Sequence, residues 1–180
     1  MNYHWNWSAL LEPVATGEGG TYVGWLVSGF LVTVALTAAA WVVALFLGAV
    51  FGVARTLPGR APRLIGTAYV SVFRNVPLIV QLFAWYFVAP ELLPKAAGDW
   101  IKEQAPFSQF FAVSVLTLGV YTGSRLCEQV RAGIEALSKG QRAAAASLGL
   151  TLPQTYRHVL LPQAWRTIVP PLTSEFLIIS

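Results

Sequence analysis

The stretch Ser138–Pro162, SKGQRAAAASLGLTLPQTYRHVLLP, separates two apolar runs and reads as two short helices joined by a glycine elbow. Ser138 stands three residues before Gln141, and Thr151 three before Gln154. Both are the spacing at which two side chains answer orphan N–H groups at a helix start. The alanine run stops at Gly149, a residue that enters the left-handed C′ conformation without steric cost. Beyond it, Leu152, Tyr156, Val159 and Leu160 fall on one apolar stripe. Pro162 lacks a backbone donor and is expected to end the second helix. A polar helix–elbow–helix set between apolar spans implies a surface offered to a partner.

The rest of the chain supplies those spans. It has 180 residues, 56% hydrophobic and 11% charged, with a mean hydropathy of +0.59. Soluble domains carry about 25% charged residues, so the composition points to a membrane protein. The formal charge of +4 is spread beside apolar runs rather than gathered on one face, which argues against a nucleic-acid partner. Residues 1–22 are mixed, with Trp5, Trp7 and His4, and suit an extracytoplasmic interfacial segment. Val23 to Val53 has no ionisable side chain and is long enough to cross a bilayer; Thr33, Thr37 and Ala38–Ala40 permit close helix packing. Arg55, Arg60 and Arg63 follow, with Pro58 and Pro62 expected to break the helix among them.

Leu64 to about Phe73 reads as a half-helix, broken at Pro77 and resumed to Val88, and residues 91–106 read as a loop. Phe107 to about Cys127 is a third span, whose Gly119 and Gly123 form a G-x-x-x-G pair suited to close helix contact. Residues 168–180 begin a fourth span too short to cross alone. The expected architecture is therefore an all-α membrane protein, a bundle of transmembrane helices with four visible and the last incomplete. Lysine and arginine gather in the 54–63 loop and across 125–166, placing 54–63 and 128–164 in the cytoplasm and the 91–106 loop and N-terminus outside.

Cys127 is a lone cysteine in an apolar run, so it excludes an internal disulfide and reads as a packed hydrophobe. No nucleophile–base pair, metal-ligand cluster or phosphate-cradling G-x-x-x-x-G-K-[ST] occurs, so no catalytic residue, metal or cofactor is expected, and energy must come from a partner. Arg125, Glu128 and Arg131 lie at i, i+3, i+6. Either Arg125 snorkels at a helix end, or it faces a cavity and marks a substrate path. Glu175, the acid of the last apolar run, either faces the path, binding an amino group or pairing Arg125, or is a packing acid. Arg74 and Asn75 either line a cavity or form a cytoplasm-proximal helix break. His158 reads as a solvated loop residue.

Two strings resemble a known family. GQRAAAASLGLTLPQTYRHVLLP resembles the "EAA" loop of ABC-importer permeases, in its polar amino-acid uptake branch, and FRNVPLIVQLF at 73–83 resembles that branch's F-R-G-T-P-L-x-V-Q segment. Ala143, Ala144 and Ala145 stand at E-A-A, Gly149 at the glycine, and Leu160–Pro162 at the I/L-L-P end; Ala143 replaces the usual Glu, and Asn75 and Val76 replace Gly and Thr. The resemblance implies a fifth span, and a loop at 138–162 docking into a cytoplasmic ATPase dimer through these residues with Arg142 or Arg157. It also implies a second permease subunit, an extracytoplasmic amino-acid-binding protein, and residence among the lipids of a bacterial inner membrane. TGSRLCEQVRAGI resembles members for acidic or general amino acids, which implies a glutamate or aspartate importer with Arg125 and Glu128 on the substrate path, where Glu175, Arg74 and Asn75 are the further candidates. A non-transporting scaffold that recruits a cytoplasmic partner, and an inactive fragment of the permease, are the alternatives the sequence leaves open.

Overall fold

The computed structural model describes residues 6–15, 19–137 and 139–179. Ser138 and its expected cap to Gln141, and also His4 and Trp5, lie outside them. A 3₁₀ turn at Trp7–Leu11 leads into α1, Tyr22–Thr56, whose N–H at Gly24 is accepted by the Thr21 hydroxyl at 3.2 Å. Thirty-five residues reach about 52 Å at 1.5 Å each, enough to cross a bilayer with tilt. Among the described residues two helices are long and apolar enough to cross, α1 and the later Pro106–Glu135, giving up to three spans if the bent pair between them counts as one.

That bent pair is α2, Arg60–Asn75, and α3, Leu78–Leu92, meeting at 103°. Pro77 causes the bend by holding Val76 extended, at φ −89° and ψ 128°. The Gln81 side-chain amide then donates to the carbonyls of Phe73 (2.9 Å) and Val76 (2.8 Å), which the broken ladder leaves without donors. α3 carries a π turn at Ala84–Val88. Two expectations need correction here. Pro62 does not break a helix, because it sits in the first turn of α2, where its missing N–H has no intrahelical acceptor to lose. Residues 91–106 are not all loop: Lys95–Lys102 forms α4, an amphipathic helix too short for its apolar period to stand out, whose Gly98 lies flat on the Pro90 carbonyl.

α5, Pro106–Glu135, outruns the expected end at Cys127 by two turns. Its later charges are neutralised along and across the helix, so they do not terminate it. α1 and α5 pack closely because glycines face each other's neighbours. A Cβ on Gly48 or Gly52 would stand 2.5 Å from that of Leu126 or 2.6 Å from that of Val130, and one on Gly119 2.6 Å from Val43 Cγ1. The Gly119/Gly123 pair therefore does make the expected contact, and Gly48/Gly52 answer it from α1. Of the small α1 residues, Thr37 and Ala40 are buried and Thr33 is exposed.

After α5 come α6, Lys139–Ser147, then α7, Leu152–Thr155, a π turn at Tyr156–Leu160, and α8, Leu161–Ile179. Pro162 does not end the second helix. The Leu161 N–H closes an i→i+5 bond onto the Tyr156 carbonyl, and this π turn carries the chain into α8, with Pro162 in its first turn. Ala44, Leu126, Ile134, Tyr156, Leu160 and Ile168 form a core shared by α1, α5, the π turn and α8. Leu26, Phe30 and Leu31 stay exposed on α1, as a lipid-facing surface requires.

The contacts sort the loops by end. Thr56, Arg63, Arg142 and Tyr156 line one cavity, while Gly24 and Val27 meet Phe107 and Phe111 at the opposite end. The 54–63 and 139–162 segments thus share an end, away from 91–106, in agreement with the arginine pattern.

Candidate functional site

The elbow at Gly149 has φ 75° and closes a Schellman motif: the Gly149 N–H donates to Ala146 O (3.0 Å) and the Leu150 N–H to Ala145 O (3.1 Å). Beyond it Gln154 Oε1 accepts from both the N–H (2.8 Å) and the hydroxyl (2.9 Å) of Thr151. Of the three alanines, Ala145 is buried inward, while Ala143 and Ala144 face out beside Leu148, which is 79% exposed. Arg157 and His158 are exposed, as is Leu152 at the start of the expected stripe. Arg142 lies over the Tyr156 ring, 5.8 Å from its centroid. The segment thus combines a fixed backbone with an apolar outward tip.

A second feature lies along α5. Glu128 receives Arg55 of α1 at 2.6 Å and Arg131 at 3.0 Å, and Arg131 also pairs with Glu135. These charges sit inside the helix and clamp α1 to α5. One turn before Glu128, Arg125 Nη2 lies 3.0 Å from Oε1 of Glu175 on α8. The Glu175 side chain is only 9% exposed and that of Arg125 33%. Gln129, which the sequence reading passed over, donates to the same Oε1 at 3.1 Å. The other Glu175 oxygen and Gln129 Oε1 are buried acceptors without a hydrogen-bond partner among the described residues. A cation with two adjoining acceptors, held between two helices, can take apart a zwitterion's charges: carboxylate to guanidinium, ammonium to oxygens.

The structure does not bring Arg74 or Asn75 into this group. Both are exposed at the end of α2, and the Asn75 amide is spent on the Ser71 carbonyl at 2.9 Å. The break that follows lies about 24 Å along α2 from its Arg60 start, so it is not proximal to the end that holds the elbow. Cys127 is buried and free, 3.8 Å from Arg55 Nη1, as a packed cysteine that also receives a weak donor.

Apolar spans, one of them broken, with a shaped polar segment at one end and a partly buried ion pair between helices define a class: an integral membrane protein arranged to relate an outside partner to a polar site within its bundle. The family described as "Binding-protein-dependent transport system inner membrane component" matches residues 44–179, and the chain belongs to it. The glutamate/aspartate import permease protein GltJ of Escherichia coli (strain K12) is 54% identical over 178 residues, 98% of this chain and 72% of that protein. The probable glutamine ABC transporter permease protein GlnM of Bacillus subtilis (strain 168) is 34% identical over 149 residues, 83% of this chain and 63% of that protein. A solved structure described as "Crystal structure of an amino acid ABC transporter with histidines" superposes with a TM-score of 0.69 at 29% identity, over 88% of this chain and 68% of that one. The chain is accordingly a permease subunit of an ABC transporter, a transport component rather than an enzyme. Permeases of this kind work with an ATPase and a binding protein.

Proposed function

We propose that this permease imports glutamate and aspartate across a bacterial inner membrane that it crosses several times. Residues 23–180 belong to the transmembrane domain and 1–22 to an extracytoplasmic interfacial segment. An extracytoplasmic binding protein delivers the amino acid, a second permease subunit completes the path, and a cytoplasmic ATPase dimer drives it. Membrane lipid surrounds the exposed apolar faces. The single observation that carries the substrate assignment is the Arg125–Glu175 pair, with buried oxygens on Glu175 and Gln129 that have no hydrogen-bond partner among the described residues. The 54% identity to a permease named for glutamate and aspartate supports it.

In this mechanism the Arg125 fork takes a substrate carboxylate in place of Glu175 Oε1. The freed Glu175 carboxylate and Gln129 Oε1 then receive the ammonium group. An acidic side chain brings a second carboxylate, which apolar surroundings do not tolerate without a cation. Glu128 holds the helix below through Arg55 and Arg131. Arg74 and Asn75, beside the Pro77 bend, line the path on the far side from α8.

Coupling runs through 138–162. Ala143, Ala144 and the Gly149 elbow meet the ATPase, aided by Arg142 or Arg157, and Ala145 seats the helix from inside. Because Pro162 lies in a continuous run from the π turn into α8, displacement of the segment moves the helix that bears Glu175. The test is labelled uptake in competition. Arg125→Ala should nearly abolish glutamate uptake and affect glutamine less, and Arg125→Lys should weaken it by losing the fork. Equal loss for glutamate and glutamine in Arg125→Ala sinks the acidic-substrate reading.

A further inference from the structure

Tyr156 is 6% exposed, yet its hydroxyl lies against α1 rather than its own helix. It donates to the carbonyl of Thr56 at 2.7 Å, a hundred residues earlier in sequence. Thr56 is the last residue of α1, so this carbonyl has no donor within its own helix. The Thr56 hydroxyl gives its proton to Val53 O at 2.8 Å, leaving its 3.1 Å approach to the phenol secondary. The phenol thus caps α1 from outside. Its ring meanwhile lies beside the Arg142 guanidinium of α6, and its backbone carbonyl closes the π turn into α8. One side chain joins both limbs of the 139–162 segment to the end of α1. The residue before Thr56 is Arg55, whose 2.6 Å bond to Glu128 reaches α5 one turn from Arg125. The segment therefore has two routes to the Arg125–Glu175 pair: directly along α8, and through Tyr156, Thr56 and Arg55 to α5.

We propose that Tyr156 is a positioning residue of transport, its hydroxyl fastening the end of α1 to the ATPase-facing segment so that α1 and α5 move with α8. Without that bond the end of α1 loses its polar tie to the segment and only the shared apolar core passes the motion on, so the two halves of the ion pair are displaced less in concert. The inference rests on the transport function proposed above, and it assigns Tyr156 no contact with substrate or ATP. A bond of this kind, to a carbonyl with no donor in its own helix, is the sort whose loss is felt.

The test uses the assembled importer in liposomes, with ATP hydrolysis and labelled glutamate uptake measured on the same preparation. Tyr156→Phe keeps the ring under Arg142 and removes only the hydroxyl. It is expected to hydrolyse ATP at the wild-type rate while taking up roughly tenfold less glutamate, equivalent to about 1.4 kcal/mol. The ATP hydrolysed per glutamate carried should therefore rise by that factor. Thr56→Ala keeps the accepting carbonyl and should leave the ratio near wild type. An unchanged ratio in Tyr156→Phe, a rise of equal size in Thr56→Ala, or failure of the Phe variant to assemble would each overturn the proposal, the last by making Tyr156 a folding residue. Absence of ATP-driven uptake by the wild-type importer would instead overturn the functional reading on which it rests.

Discussion

Breaking the Arg125–Glu175 pair from its two sides should cost unequal amounts. At 3.0 Å, two unit charges attract by about 5.5 kcal/mol at an effective dielectric of 20. Arg125 is a third exposed, so solvent screening discounts that figure and desolvation of Glu175 offsets part of the remainder. A net coupling of about 3 kcal/mol follows. Arg125→Ala strands a carboxylate that is nine-tenths buried, a loss of about 3 kcal/mol. Glu175→Gln leaves an arginine that can turn to solvent and an amide that still meets Gln129, a loss of about 1 kcal/mol. The double variant, which buries no charge, should be about as stable as Glu175→Gln alone. Unfolding titrations of the four purified proteins in mixed micelles give the cycle directly. Additivity within about 0.5 kcal/mol, or a larger loss from Glu175→Gln than from Arg125→Ala, would refute the reasoning.

Gly149 needs its positive φ rather than space, since a Cβ there meets nothing within 4 Å. Gly149→Asn should therefore retain ATPase co-purification, whereas Gly149→Val should lose it at a strain of roughly 1–3 kcal/mol with insertion intact. Gly48→Leu drives a side chain into Leu126 and should destabilise the α1–α5 contact by about 1–3 kcal/mol or more, seen as a lower unfolding midpoint. Gln81→Leu removes the donor to Phe73 and Val76, and should cost about 1–3 kcal/mol and speed proteolysis at the α2–α3 bend, while Gln81→Glu, which also lacks the amide, should not rescue it.

The outline of this fold was legible because membrane spans declare themselves by length and apolarity, and because Gly149 and Pro77 each force one backbone outcome. Their positions came through, as did the shared end of the 54–63 and 139–162 segments. The misses have physical causes. Pro62 and Pro162 look like stops in the sequence, but Pro62 lies in the first turn of α2, where no acceptor waits for its missing N–H, and at Pro162 the π turn closed by the Leu161 N–H carries the chain on into α8. The sequence marks the third span only to about Cys127, where the charges begin, and a single sequence does not show how far the helix continues beyond it. Here Arg55, far away in sequence, supplies the counter-charge that lets the helix run on to Glu135. The sequence leaves the Arg125–Glu175 proximity as one of two alternatives, because spacing along the chain does not set the depth of α8 against α5. Gln129 and Tyr156 carried no local signal at all: one reads as a polar helix residue and the other as part of an apolar stripe. Only the helix crossing brings each to its partner.

The most direct measurement of the central claim is accumulation of labelled glutamate in proteoliposomes holding this permease with its partner subunit and ATPase, supplied with the extracytoplasmic binding protein. The account predicts uptake against the gradient that requires ATP, falls when aspartate competes, and disappears in Gly149→Val although the protein remains in the membrane. Uptake that proceeds without ATP, or ATP-driven uptake that survives Gly149→Val undiminished, would contradict it.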